Sequence, residues 1–189
     1  RRQRQMCIRD RSDGYKSRFF QSLPVIADDK SIINSYEFST YNKLKNESII
    51  SIILFAKAIN SYDDDVRVSK RIFLPARKLR GFAAGKIGPL DAGDYIGGNY
   101  GTAANIAATL PKFLVDLQNV DFSLFLDAAN VFGVDYNDEL DSSKLRSSAG
   151  VAIDWFTPIG PLSISFASPL TKASTDKTET FRFQLGTTF

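Results

Sequence analysis

The chain has 189 residues, 43% of them hydrophobic and 12% aromatic, a composition that excludes intrinsic disorder and suits one domain or a piece of a larger one. Its formal charge of +3 resides in residues 1–12, which hold five arginines and one aspartate; of 24 basic and 21 acidic residues, 19 and 20 remain beyond them, so the basic balance gives no support to nucleic-acid binding. No apolar run approaches the ~18 residues of a spanning helix, and the lack of histidine removes Ser-His-Asp catalysis and histidine metal sites.

Residues 1–12 have no apolar stretch of the signal-peptide kind and no strand alternation. They hold the only Met and the only Cys, Met6 and Cys7. They read as non-native or disordered, either a cloning or sequencing scar or a flexible basic arm, with the fold occupying 13–189. One cysteine forms no internal disulfide and reports nothing about redox compartment.

In chain order, alternation predicts strands near 14–24, 32–42 and 49–59, the first of them weak. Ile49 to Ala58 is the greasiest stretch, broken by Ser51 and Lys57. Pro24 and Pro111 stand at strand ends, where a missing N–H is tolerated. Residues 60–98 lack clear alternation, and a loop of that length in a compact chain is usually functional. Within it Asp63, Asp64 and Asp65 read as a solvated loop tip in preference to a cation site, since no further ligands follow at metal spacing. Gly97-Gly98-Asn99-Tyr100-Gly101 has neither the spacing nor the following helix of a phosphate loop.

Strands follow near 99–110, 121–130, 145–155, 162–168 and 181–189. Phe122, Leu124 and Leu126 share one face; Asp121, Ser123, Phe125 and Asp127 share the other. From 145 to 155 the odd positions, Leu145 to Trp155, alternate with Arg146, Ser148, Gly150, Ala152 and Asp154. Asp127, Arg146, Asp154 and Arg182 all fall on the second face, and a charge on the lipid side at mid-membrane costs ~2–4 kcal/mol. The connections alternate in length. Thr157 to Pro161 is a short Pro/Gly turn, whereas 132–144 and 169–178 are long and polar, as in outer-membrane barrels with short periplasmic turns and longer outer loops. Trp155 and Phe156, beside the short turn, suit a periplasmic aromatic girdle or an ordinary core.

In the last strand Phe181, Phe183, Leu185 and Phe189 share a register, while Arg182, Gln184 and Thr188 fill the other and Gly186 precedes the gap at Thr187. Taken alone it fits the closing strand of a barrel or the edge of a soluble β-sandwich. With the charge-free face and the loop parity, the reading is an all-β chain: an antiparallel transmembrane β-barrel, here about eight C-terminal strands of a larger one, with a long loop folding inward. Such a chain crosses lipid as strands, because only helices and closed barrels satisfy the backbone there.

The long loop carries Leu79-Arg80-Gly81-Phe82. Gly81 permits a tight turn, Arg80 offers a permanent charge and a rigid donor fork for a carboxylate, and Phe82 offers an apolar anchor against a lumen wall. This tetrapeptide resembles the V/L-R-G-F/Y motif in the large extracellular loop of BamA-type outer-membrane assembly factors, the bacterial surface antigen family. Ile87-Gly88-Pro89, Gly97-Gly98-Asn99 and Phe125 to Phe132 (family pattern F-x-D-x-G-x-V-W/F) follow in family order. So do Ser147 to Ala152 with Trp155 to Leu162, and the closing strand 181–189. The ordered set covers residues 79–189; residues 13–78 match only in rhythm.

The resemblance implies the C-terminal half of a sixteen-strand barrel preceded by POTRA repeats. It implies a non-enzymatic outer-membrane protein without cofactor, nucleotide or metal, which folds and inserts other barrel proteins through a lateral seam. The implied partners are the lipid bilayer, nascent outer-membrane clients and accessory lipoproteins, with no nucleic acid. The strand bearing Phe181, Phe183, Leu185, Gly186 and Phe189 forms one side of the gate. Arg80 meets an acidic lumen residue; Asp127 matches one such position, while the family's other acidic position falls on Ala107. On this reading Asp127→Ala loosens the loop more than Asp135→Ala. The alternatives are a two-partner secretion or TamA-type translocator of the same superfamily, a passive pore or adhesin, and a soluble β-sandwich binding module.

Overall fold

The computed structural model describes residues 13–24, 30–44, 48–62, 65–110, 119–140, 144–157 and 160–186. Eight of its strands form one antiparallel sheet in sequence order. They are β1 (Gly14–Ser22), β2 (Ser31–Lys43), β3 (Ile49–Ser61), β4 (Tyr100–Thr109), β5 (Val120–Phe132), β6 (Arg146–Thr157), β7 (Gly160–Thr171) and β8 (Phe181–Leu185). The sheet is a meander, and among the described residues β1 pairs only with β2 and β8 only with β7.

Alternation fixes the two faces. Across β5, β6, β7 and β8, Leu124, Val151, Phe166 and Phe181 lie in one row, and Phe122, Ile153, Ile164 and Phe183 in the next. In the outward register of β3 and β4, Ile52 faces Ile106 and Leu54 faces Ala104. This register carries no charged residue in any of the eight strands, and its large side chains, Leu124, Val151, Trp155, Phe166, Phe181 and Phe183 among them, are about half exposed. Such a face suits lipid and would be an aggregation hazard in water.

The core lies on the concave side, between the wall and the segment joining β3 to β4. Leu74, Leu79, Phe82 and Ile87 of that segment pack against Ala103, Ala129 and Val131 of the wall, with Phe55 at the margin. Val66 and Ile72 pack with Ile59 and Ile33. The wall presents the small Ala103 and Ala129 beside Val131 where the loop presents large side chains, which leaves room for the loop to dock.

Three strand limits differ from the sequence reading for identifiable reasons. β8 ends at Leu185, and Gly186 donates its N–H to the Pro161 carbonyl (2.8 Å) outside the strand; Thr187 to Phe189 lie outside the described residues, as do residues 1–12, Asp63 and Asp64. β7 runs through Pro169 to Thr171, because a register shift between Pro169 and Thr171 absorbs the missing donor. β1 stops at Ser22, two residues before Pro24.

Candidate functional site

Antiparallel parity brings the connections after β1, β3, β5 and β7, the last three of them 62–99, 133–145 and 172–180, to the same end of the sheet. The longest of them leaves that end and turns back along the concave face. A short 3-10 turn, Ala76–Lys78, delivers Leu79 to Phe82 against the wall.

Arg80 meets Asp127 of β5 in fork geometry, with Nε to Oδ2 and Nη2 to Oδ1 both at 2.7 Å. The Arg80 backbone N–H also donates to Oδ2 (3.1 Å), and the Asn105 amide donates to Oδ1 (2.9 Å). Asp127 has no exposed surface, yet its carboxylate accepts four hydrogen bonds. A buried charge is tolerable only with such complete pairing. The guanidinium lies 3.5 Å over the Phe125 ring, in reach of a cation–π attraction. Gly150 of β6 makes room for that ring: a Cβ there would meet Phe125 at 2.7 Å and the Phe166 carbonyl at 2.1 Å.

The turn after Arg80 is equally constrained. Gly81 has φ +86°, and a Cβ would stand 3.1 Å from the Ala167 Cβ and 3.2 Å from that of Ser148. The Ser148 hydroxyl donates to the Arg80 carbonyl (2.5 Å). Gly81 and Phe82 then pair as a short ribbon with Glu179 and Thr178, from the connection between β7 and β8. Arg182 of β8 donates to the Phe82 carbonyl (2.9 Å) and forms an ion pair with Glu179. On the other side of the motif, Lys78 pairs with Glu37 of β2 at 2.5 Å and lies 4.7 Å over Phe55.

A second buried ion pair closes the loop end of the wall. Arg146 and Asp176, neither with any side-chain exposure, meet at 3.0 Å, and Arg146 Nη1 also donates to Asn130 (2.5 Å) and the Lys144 carbonyl (3.0 Å). Tyr95 donates to the Thr175 carbonyl (2.5 Å), and burial, then the Asp176 charge, push its phenol above the ordinary range. Asp135 accepts from the Val66 N–H (2.9 Å) and the Asn99 amide (2.5 Å), which ties the first part of the long loop to the connection after β5.

Leu79, Arg80, Gly81, Phe82 and Asp127 therefore converge. Phe181, Phe183 and Leu185 lie in the opposite, outward register, while Gly186 follows β8 and Phe189 lies outside the described residues. At Ala107 the wall offers no second carboxylate; Asn105, two residues earlier, supplies an amide that bridges Asp127 and the Lys78 carbonyl (2.9 Å). Ser148 lies in the Ser147–Ala152 block of the family pattern, but Asn105, the Arg146–Asp176 pair and the Arg182–Phe82 bond have no motif of their own. Their only sequence signal is a polar residue in the concave register of a strand or in a polar connection. Beneath the motif the concave face holds a cavity of about 520 Å³, whose lining includes Lys16, Arg18, Arg77, Lys78 and Arg80 against Glu37 and Asp154. Among the described residues no group of three His, Cys, Asp or Glu is placed to hold a metal ion.

A chain with this wall and this inward loop has known counterparts. It is 35% identical over 141 residues to the outer membrane protein assembly factor BamA of Neisseria meningitidis serogroup B, a match covering 59% of this chain and 17% of that protein. It is 30% identical over 183 residues to BamA of Neorickettsia risticii, covering 93% of this chain and 24% of that one. The chain thus spans a quarter or less of the length of these relatives. The crystal structure of BamA from Haemophilus ducreyi lacking POTRA domains 1–3 superposes with a TM-score of 0.83 at 31% identity, over 94% of this chain and 39% of that one. Together with the charge-free convex face, these likenesses locate the chain in the Gram-negative outer membrane. The model of the Omp85 superfamily domain matches residues 12–189, and the chain belongs to that superfamily.

Proposed function

We propose that the chain is the C-terminal part of the barrel of an outer-membrane assembly factor, one that folds and inserts other β-barrel proteins through a lateral seam. The observation that carries the proposal is the short hold on β8: among the described residues five of its residues pair with β7, against nine or more pairs in every other ladder of the sheet. A strand held so lightly can release its outer edge to an incoming strand, which is β-augmentation. The two BamA relatives and the BamA structure support the same reading. In this role the Arg80 loop acts indirectly by bracing the wall from inside, the client is a nascent barrel protein, and accessory lipoproteins are recruited elsewhere on the whole protein. No step calls for a cofactor or for bond chemistry.

The test uses the full-length protein containing this chain, reconstituted in liposomes with an unfolded barrel client. Folding of the client, read as a heat-modifiable band, is expected to accelerate at least tenfold over empty liposomes. Ion conductance or passage of a secreted substrate without faster client folding would instead favour a passive pore or a translocator of the same superfamily.

A further inference from the structure

We infer that Arg182 is a latch that couples docking of the long loop to retention of β8 in the wall. The inference deepens the seam reading above and rests on it for its purpose, though not for its geometry.

β8 has two attachments. One is the ladder to β7, from Phe166–Phe181 to Leu162–Leu185. The other is Arg182, whose side chain is 12% exposed and reaches inward to the Phe82 carbonyl at 2.9 Å and to the Glu179 carboxylate. Both acceptors belong to the ribbon in which Glu179 pairs with Gly81 and Thr178 with Phe82. One guanidinium therefore holds both strands of the ribbon, and one of them is the loop motif itself. Two residues before Phe82, Arg80 is fastened to Asp127 on β5, three strands away from β8 in the sheet. Arg80 and Arg182 are thereby joined through a few bonds of turn backbone.

The chemistry makes this joint cooperative. The Arg182 Nη1 is buried with no hydrogen-bond partner among the described residues, and the residue borders a cavity of about 140 Å³ that Arg77, Arg80 and Asp154 also line. If the loop withdraws, Arg182 keeps Glu179 but loses the Phe82 carbonyl, one of the two acceptors that hold it inward. If β8 peels away, the ribbon loses the cation that joins its two edges. Groups in one such network couple with energies of ~0.5–3 kcal/mol, a factor between about 2 and 150 in an equilibrium. Loop undocking and β8 release thus favour one another. Arg182 is a positioning residue here; it needs to touch no client.

The experiment is a double-mutant cycle on the full-length protein in nanodiscs, with Asp127→Asn to loosen the loop and Arg182→Gln to cut the latch. The readout is amide hydrogen exchange of residues 181–185. Asp127→Asn alone is expected to raise exchange in β8 about tenfold although it alters a residue of β5. In the Arg182→Gln background the same change is expected to add less than twofold, and Arg182→Lys is expected to restore part of the coupling. Unchanged β8 exchange in Asp127→Asn, or effects that multiply independently, overturn the latch. If Arg182→Gln gives no heat-modifiable barrel, Glu179→Gln takes its place in the cycle with the same expectation and the same grounds for rejection. Client insertion is measured separately: insertion without coupling rejects the latch alone, and coupling without insertion rejects the assembly role alone.

Discussion

At the scale of single residues, the site is governed by a carboxylate with no access to solvent. Asp127 accepts four hydrogen bonds, three from Arg80 and one from Asn105. Removing one member of a buried, hydrogen-bonded ion pair costs ~3–5 kcal/mol, because the survivor stays desolvated. In the full-length protein, Asp127→Ala is expected to expose the bonds after Arg77, Lys78 and Arg80 to trypsin, while Asp94→Ala, at an exposed position, leaves digestion unchanged. Asp135→Ala is a different case, since Asp135 ties Val66 and Asn99; it is expected to loosen residues 65–72 and to spare the motif. Equal cleavage at the motif in Asp127→Ala and Asp135→Ala would count against the Arg80 anchor. Asp127 was legible because register assigns it to the concave face and the family resemblance singles it out there as the partner of Arg80. Asn105 was not, because an asparagine in a strand announces only a polar position, and its two partners lie 27 and 22 residues away.

At the scale of elements, the strands were readable because period-two alternation is a local property of the chain. Their ends were less so, because pairing stops where neighbours stop, and a proline such as Pro169 can be carried by a register shift. The long loop resisted reading for a related reason. Its order comes from contacts with β2, β5, β6 and β8 through Glu37, Asp127, Ser148 and Arg182, and no local period encodes those. The two faces of the wall make a further prediction. Val151 stands mid-strand in the outward rows of β6, 44% exposed. Val151→Lys puts a cation in hydrocarbon and is expected to cost ~2–4 kcal/mol, measured as a lower denaturant midpoint in bilayers. Ser123→Lys, on the concave face beside the cavity that Asp154 also lines, is expected to cost under ~1 kcal/mol, as a solvated substitution away from packed features does. A larger loss for Ser123→Lys would reverse the assignment of the faces.

At the scale of the molecule, the sheet has two edges. The free edge of β1 runs along nine residues and that of β8 along five. In water such edges are hazards for aggregation; in lipid each unpaired N–H or C=O costs several kcal/mol, so a lone open sheet does not persist there. The loop cannot relieve this. It packs on the concave face, and among the described residues its short strands pair with the 178–179 segment or with one another, never with β1 or the free edge of β8. Residues 13–189 expressed alone are therefore expected to give no heat-modifiable, protease-resistant band at the mass of one chain, although the Arg80–Asp127 contact lies wholly within them. Closure requires further strands between β8 and β1. Those strands come from the rest of a longer protein, or from a second copy whose β1 meets the first copy's β8. Size-exclusion in detergent separates these outcomes. A resistant species of two chains would mean that eight strands supply half a ring and that the edges alone decide closure. A resistant species of one chain would mean that the edges find partners within residues 13–189, and the open-sheet topology would then be wrong.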